Sequence, residues 1–495
     1  MSPTILRTPE QAVQWLRARA PGTLQTDSRA VGAGDGFIAW PGAATDGRGF
    51  VGNAFAQGAG AALVEAEGAE VFDFGTAEVA AYPGLKAATG PIAALWFGRP
   101  SHALDVLAVT GTNGKTSTAW WLAQAATQAG IGCAVVGTLG TGVPPDGVVH
   151  NGLTTPDPVL LQRAFRTFAD GGLRAAAIEA SSIGIAEQRL AGTRIRTAIF
   201  TNFTQDHLDY HGSMEAYWRA KVALFAHEGL RAAVVNVDDP AGVRLAGELA
   251  GGGLDVWTVS LHAGARLVAQ VIQYTARGIS CQLAENGHSE PIPLYADIGG
   301  DYNLSNLLGV VAALRTLGVP LAEAAAACAR LAPVPGRMER VARDGQPLAV
   351  VDYAHTPDAI EKALAALRPL SRARGGRLIC VFGCGGDRDA TKRPRMAQAA
   401  ARGADRVWIT SDNPRSEDPR AIIEQIAVGL PALADACTEA DRARAIHAAL
   451  AEAAPADVVL IAGKGHEATQ ETAGVRRPFS DRAEAEAALA ARTAA

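Results

Sequence analysis

No run of about 18 uninterrupted apolar residues occurs in this 495-residue chain, which argues against a membrane-spanning helix. The opening segment, MSPTILRTPEQAVQWLRARA, lacks an apolar core followed by a small-residue cleavage site, so it does not read as an export signal. Cysteine is sparse and scattered, at Cys133, Cys281, Cys328, Cys380, Cys384 and Cys437, with no CxxC pair. That spacing argues against a disulfide framework or a zinc site and for reduced core thiols. A basic surplus is also missing: 45 Lys and Arg face 50 Asp and Glu, a net charge of −5. Neither nucleic acid nor a membrane surface is advertised as a partner. No fixed-period repeat is visible. The expectation is a cytoplasmic protein, acting as a monomer.

What is present is ample apolar material. Hydrophobic residues make up 48% and charged residues 19%, enough for several packed cores. At roughly 150 residues per domain, the length suggests about three domains. Strand-like runs alternate with Ala/Leu-rich helical segments. The clearest are LDVLAVT (104–110), RAAAIEA (174–180), IRTAIFT (195–201) and AAVVNV (232–237). A second series is LAVVD (348–352), RLICVFG (377–383), RVWITS (406–411) and DVVLIA (457–462). Strands separated by crossover helices predict α/β architecture with parallel sheets, and ligands at the strands' carboxyl ends. Linker-like stretches at FGRPSHALD (97–105) and RLAPVPGRMERV (330–341) suggest domains of 1–102, 103–333 and 334–495. The Gly-rich LAGGGLD (249–255) reads as a surface loop.

The segment LAVTGTNGKTSTAWWLAQ (107–124) is a strand, a Gly-rich turn and a helix. Gly111 and Gly114 let backbone N–H groups approach anionic oxygens, and the helix N-terminus adds its positive dipole end. Lys115 would reach the β- and γ-phosphates of ATP, and Thr116 would ligate magnesium. The general GxxxxGK[ST] pattern is incomplete because Val109 stands at the outer glycine. The inner half, running through Gly111, Thr112, Asn113, Gly114, Lys115, Thr116 and Ser117, is intact.

TGTNGKT resembles the signature of the ATP-dependent Mur ligases and their relatives, the folylpolyglutamate synthases. The likeness extends through TNFTQDHLDYHGSMEAYWRAK (201–221), GDYNLSNLLGVVAAL (300–314), PGRME (335–339), VVDYAHTPDAIEKAL (350–364), FGCGGDRDATKRPRM (382–396), SDNPRSEDPRAI (411–422) and AGKGHE (462–467). It covers the whole chain and is most similar to the branch of the Mur ligases that adds diaminopimelate. The resemblance implies three α/β domains: an N-terminal uridine-nucleotide-binding domain, a central P-loop ATPase-type parallel sheet and a C-terminal Rossmann-like domain. It also implies ATP-dependent amide formation between UDP-MurNAc-dipeptide and meso-diaminopimelate, with Mg2+ as cofactor and ATP as co-substrate. A carboxylate is a poor electrophile, so such an enzyme first makes an acyl phosphate, and catalysis is mainly charge neutralisation and positioning.

By this resemblance, Glu179 at a strand end joins Thr116 on magnesium, and His207 lies near a second magnesium, with His211 a weaker candidate. Lys221 is implied to be carbamylated, becoming an anionic oxygen ligand; residues alone would make it a surface lysine. Asn306, Arg337 and Asp352 complete the ATP site, and His355 lies near the phosphates. Thr26, Ser28 and the backbone of Ala43, Ala44 and Thr45 are implied at the uridine end. Thr154, Thr155, Ser182, Glu187 and Arg189 lie along the muropeptide. Ile183, Glu187 and Leu153 depart from the family pattern, and the Glu187 charge would disfavour a neighbouring anion.

The stretch SDNPR (411–415) follows a buried strand and carries an acid, an amide and a guanidinium about a proline. Diaminopimelate presents a zwitterionic far end. The expectation is that Arg415 and Arg388 take its carboxylate, that Asp412 and Glu467 take its ammonium, and that Asn413, Pro414 and Gly463 complete the cradle. A lysine-adding Mur ligase and a folylpolyglutamate synthase are the alternatives within this chemistry. A nucleotide-binding regulator without catalysis is the alternative outside it.

Overall fold

The computed structural model describes residues 3–42, 45–75, 77–150, 152–275, 278–287, 290–431 and 434–492. The expected contacts of Ala43 and Ala44 lie outside the described residues.

Three main sheets organise the chain. The first contains five parallel strands, in the spatial order Thr4–Ile5, Val79–Tyr82, Ala61–Glu65, Gly36–Ala39 and Leu24–Gln25. The second has eleven strands. Its parallel centre runs Asp255–Ser260, Ala232–Asn236, Thr197–Phe200, Asp105–Thr110, Ala175–Glu179 and Cys133–Gly137. An antiparallel extension, Leu267–Thr275 with Gly278–Glu285 and Ile292–Ala296, widens one edge. The third sheet has six strands, ordered Glu339–Val341, Leu348–Asp352, Val458–Ala462, Leu378–Phe382, Arg406–Ile409 and Ala436–Thr438, with only the first pair antiparallel. The expected strands all form, Leu348–Asp352 over its full span and the others one or two residues shorter at one or both ends.

The strand centres are near-continuous apolar runs because parallel sheets are covered on both faces. Val458–Ala462 is buried throughout. On one face of the central sheet, the helices Lys115–Gln128 and Asp301–Thr316 pack Trp120, Trp121 and Leu307 against Leu107 and Val109. On the other, helix Pro158–Asp170 brings Phe165 and Phe168 against Val106 and Ile178. Cap residues mark where the helices begin: the Asp157 carboxylate accepts from Val159 and Leu160, and the Thr356 hydroxyl from Ala359. The Gly-rich segment after Leu249 is exposed, as expected.

Strand order places the sites. Asp105–Thr110 lies between Thr197–Phe200 and Ala175–Glu179, the point where the central sheet winds off in two directions. In the third sheet, Val458–Ala462 is inserted between Leu348–Asp352 and Leu378–Phe382. Such reversals open crevices at the carboxyl ends of the strands.

Candidate active site

The Gly-rich loop leaves strand Asp105–Thr110 and enters the helix at Lys115. Gly111 has φ +148, and a Cβ there would stand 1.9 Å from Thr201 Oγ1. Gly114 has φ +86, and a Cβ there would meet Asn306 Oδ1 at 2.4 Å. Both positions therefore require glycine. The loop is pinned from the neighbouring strand: the Asn113 N–H donates to Asn202 Oδ1 at 2.8 Å, and the Thr201 hydroxyl donates to the Asn113 carbonyl at 2.6 Å. Lys115 opens the helix that follows the loop. It is half-buried at the first turn of the helix and donates to the Gly111 and Thr112 carbonyls at 2.9 and 2.8 Å.

Thr116 and Glu179 come together as expected, with the Thr116 hydroxyl donating to Glu179 Oε2 at 3.0 Å. Thr138, which the sequence did not single out, adds its N–H to Oε1 at 2.8 Å and its hydroxyl to Oε2 at 3.1 Å. Arg337 arrives from beyond the central sheet and donates to Thr116 Oγ1 at 3.3 Å. Its guanidinium lies 4.2 Å above the Tyr353 ring. Asp352 is buried, with its two oxygens accepting from the Met338 and Ala354 N–H groups at 2.8 Å each. Burial pushes its carboxyl up, against the opposing pull of Arg337. Asn306 packs on Gly114 at the loop itself. These groups line a cavity of about 240 Å³.

The reading of Lys221 as a surface lysine does not hold. It is 1% exposed, donates to the Gly111 carbonyl at 2.7 Å and lies 4.3 Å from the Tyr217 ring centroid. Burial, helped by the nearby Lys115 ammonium, pushes its amine well below the usual lysine range. His207 sits in the left-handed region at φ +52, with Nε2 3.5 Å from Asp206 Oδ2. Burial, with Lys115 and Lys221 nearby, lowers it to about 4 despite Asp206. His211 is engaged elsewhere, with Nε2 3.0 Å from Ser182 Oγ. His355 donates from Nδ1 to the Tyr353 carbonyl at 2.9 Å, which leaves Nε2 as an acceptor.

A second cavity, of about 600 Å³, shares Asp206, His207, Tyr353 and His355 with the first. Arg388, Asp412, Asn413, Arg415, Gly463 and Glu467 line it. Among the described residues no ion pair joins Asp412 to Arg415, so this turn is not a self-satisfied salt bridge. Among the described residues, the Arg415 guanidinium donates once, to the Gly386 carbonyl at 2.6 Å, and Arg388 once, to the Asp387 carbonyl at 3.3 Å. Arg415 has φ +53, and its backbone bonds Glu471 and Ala473 in the neighbouring hairpin. Pro414 precedes Arg415 in this turn, and its carbonyl accepts from the Glu417 N–H at 3.0 Å.

One expectation changes here. Glu467 is not free to meet a ligand ammonium alone, because the fully buried Lys464 donates to its Oε2 at 2.7 Å. Lys464 also donates to Asn413 Oδ1 at 3.0 Å, and Asn413 Nδ2 donates to Glu467 Oε2 at 2.8 Å. The only sequence signal was a charge among small residues in AGKGHE. Asp412 is buried and has no hydrogen-bond donor on its carboxylate among the described residues. A second buried group sits behind it. Arg442 pairs with Asp481 through two bonds of 2.7 Å, and donates to the carbonyls of Ser411 and Ala462 at 3.1 and 2.9 Å. It thereby ties together the two strand ends from which Asp412 and Gly463 emerge.

The muropeptide candidates gather at the edge of the first cavity and toward the N-terminal sheet. Thr154 Oγ1 is 3.0 Å from Thr138 Oγ1. The Thr155 hydroxyl donates to the Glu179 carbonyl at 2.7 Å, and Arg189 donates to the Thr155 carbonyl at 2.8 Å. Ser182 and Ser28 are buried, the Thr26 hydroxyl bonds the Asp157 carboxylate, and Thr45 is exposed. The expected repulsion at Glu187 is compensated: Lys86, from the N-terminal part of the chain, pairs with it at 2.7 Å, and the Tyr210 hydroxyl donates to it.

Three family descriptions match in chain order: "Mur ligase family, catalytic domain" over residues 23–91, "Mur ligase middle domain" over 109–314, and "Mur ligase, glutamate ligase domain" over 336–465. The chain is 63% identical over 494 residues to a UDP-N-acetylmuramoyl-L-alanyl-D-glutamate–2,6-diaminopimelate ligase of Acidovorax sp. (strain JS42), covering 98% of each chain. It is 47% identical to the protein of that name from Pseudomonas aeruginosa, covering 94% of this chain and 95% of that one. A solved structure of a ligase of the same name superposes with a TM-score of 0.65 at 35% identity, covering 95% of both chains. A MurF ligase from Thermotoga maritima in complex with ADP superposes with a TM-score of 0.65 at 18% identity, covering 91% of this chain and 95% of that one, a likeness of fold alone. With near-complete coverage at this identity and all three descriptions in order, the chain belongs to the Mur ligase family.

Proposed function

We propose that this chain is an ATP-dependent ligase that joins meso-diaminopimelate to the D-glutamate carboxylate of UDP-N-acetylmuramoyl-L-alanyl-D-glutamate, a step of peptidoglycan precursor synthesis. The observation that carries this reading is the 600 Å³ cavity holding Arg388, Arg415 and Asp412, which adjoins the phosphate-loop cavity. The full-length identity to ligases of that name supports it.

In the reaction, a glutamate oxygen attacks the γ-phosphorus of ATP, giving an acyl phosphate and ADP. The amine then attacks the acyl carbon, phosphate leaves, and the amine loses a proton. Each residue's task follows from charge. The loop N–H groups of residues 111–117 and the Lys115 ammonium receive the phosphates. Asn306, Arg337 and Asp352 take the nucleotide from beyond the loop. Thr116 and Glu179 are hard oxygen donors, a set that suits Mg2+, which keeps several waters and is held by one or two carboxylates together with substrate phosphates. When bound, the metal neutralises charge on the transferring phosphoryl group. His207 stands beside this set as a neutral imidazole. Lys221, buried and favoured as a neutral amine, suits attack on carbon dioxide, which would give a carbamate and release one proton. Thr26, Ser28, Thr45, Thr154, Thr155, Ser182 and Arg189 take the muropeptide.

At the amino-acid end, Arg415 and Arg388 each spend one bond on a backbone carbonyl and keep further N–H groups for a carboxylate. Asp412 takes the ammonium. The Lys464–Glu467–Asn413 set holds the floor of the cavity. We place the domain divisions at 1–102, 103–333 and 334–495, since each sheet lies wholly within one span. The substrates are cytoplasmic metabolites, and among the described residues no helix is long and apolar enough to cross a membrane.

The test is amide formation with diaminopimelate and with lysine, for the wild type and Arg415→Ala. Lysine leaves the arginines facing a hydrocarbon end, and a site built for a polar group rejects such an analogue by roughly 10⁴–10⁵. Equal use of lysine by the wild type, or full use of diaminopimelate by Arg415→Ala, would overturn the reading.

A further inference from the structure

We propose a second anion site, at the amino end of the central sheet, for a compact multivalent oxyanion of the phosphate class. A concavity of about 290 Å³ there is lined by Arg174, Arg194, Arg196 and Arg231, with Asp105 as its single carboxylate. The four arginines and one aspartate give a local charge of +3 in a chain of net charge −5. Converging guanidinium groups, each a fork of N–H donors, with a single carboxylate among them suit a compact multivalent oxyanion such as phosphate or pyrophosphate.

The arrangement is built by the fold. Parallel strands begin at one edge, so the residues just before them converge. Arg231, Arg196, Asp105 and Arg174 stand at the starts of four adjacent strands, in that spatial order. Backbone bonds fix the row: Arg231 N–H donates to the Arg196 carbonyl, and Asp105 N–H to the Arg174 carbonyl, each at 2.9 Å. Arg194 is anchored by its N–H to Ser101 Oγ at 3.1 Å. Gly229, at φ +80, lets the Arg194 side chain lie across the chain, since a Cβ there would meet Arg194 Cγ at 2.6 Å. Among the described residues of this row only Arg196 is paired with a carboxylate, Asp105 at 2.9 Å. Among the described residues, the guanidinium groups of Arg174, Arg194 and Arg231 have no acceptor. Unpaired like charges gathered in a concavity focus a positive potential that an anion relieves.

The site is separate from the phosphate loop. The loop follows the carboxyl end of the six-residue strand Asp105–Thr110, which at about 3.3 Å per residue puts roughly 20 Å between them. No residue of the row belongs to the ligation machinery proposed above.

The experiment is calorimetric titration of pyrophosphate into the full-length protein already saturated with ADP, so that the loop is filled. Phosphate and malonate serve as parallel titrants, to separate a phosphate preference from general anion affinity. One pyrophosphate per chain is expected, weakening with added salt and at least tenfold weaker in Arg194→Ala/Arg231→Ala. Ligation without pyrophosphate should stay within twofold of wild type in that variant. Arg174→Gln, which removes the charge and keeps a polar, unbranched side chain, gives the same readout should the double variant fold poorly. Equal pyrophosphate affinity in wild type and variants overturns the site, as does no binding at millimolar pyrophosphate. Malonate binding as tightly as pyrophosphate overturns the phosphate assignment.

Discussion

At the scale of single residues, the decisive quantity is how each lysine is buried. Lys115 is half-buried with its ammonium over the loop carbonyls, whereas Lys221 has almost no exposure. Lys115→Ala should abolish ligation and leave the thermal transition nearly unchanged, because alanine is an excellent helix former at a first-turn position. Ligation within about tenfold of wild type, a loss of only ~1.4 kcal/mol, would remove Lys115 from the phosphates. Lys221→Ala should be inactive yet partly rescued by short carboxylic acids, which replace the missing oxygen donors. A variant that no carboxylic acid restores would leave Lys221 as a packing residue against Tyr217.

At the scale of elements, one buried ion pair governs the amino-acid site. Arg442, at the start of helix Arg442–Glu452, and Asp481, at the start of helix Asp481–Arg492, are both fully buried. Together they tie the ends of strands Arg406–Ile409 and Val458–Ala462 through the Ser411 and Ala462 carbonyls. Removing one partner of such a pair costs about 3–5 kcal/mol, while replacing both with apolar groups is often neutral. Arg442→Met should therefore unfold at markedly lower denaturant, and Arg442→Met/Asp481→Leu should recover much of that loss. The double variant should still show a raised KM for diaminopimelate with an unchanged KM for ATP, because the two strand ends lose their tie. Recovery of both stability and KM would make the pair a packing device only.

At the scale of the whole molecule, contacts between distant parts of the chain carry the pH dependence. Lys86 reaches Glu187 from the N-terminal sheet. Burial alone would raise the Glu187 carboxyl, but the Lys86 ammonium and Tyr210 hydroxyl hold it below its usual 4.5. A carboxyl lowered in the folded state stabilises the protein above its unfolded value, and that stabilisation fades as pH falls through the lowered value. The wild type should thus melt above Lys86→Met at pH 6–7, with the gap closing below about pH 4.5. A gap that persists undiminished at lower pH would assign the Lys86 effect to packing.

The sequence by itself determined eight strands of the second and third sheets, their parallel character and the loop from Gly111 to Ser117. Those signals are local: an apolar run needs only its neighbours to declare itself, and a Gly-Lys-Thr turn after a strand needs only the helix that follows. The motif resemblance also gathered Thr116, Glu179, Arg415 and Asp412 from separate segments. Tertiary structure alone decided the environments. Nothing near Lys221 in sequence states that the Gly111 carbonyl would cap its amine, and nothing near Glu467 sets Asn413 beside it. Glu187 looked repulsive because its partner, Lys86, lies about a hundred positions earlier. The arginine row was invisible for the same reason, since Arg174, Arg196 and Arg231 become neighbours only when parallel strands start along one edge. Charge acts through space, with a reach set by distance and burial rather than by chain position, so its arrangement awaits the fold.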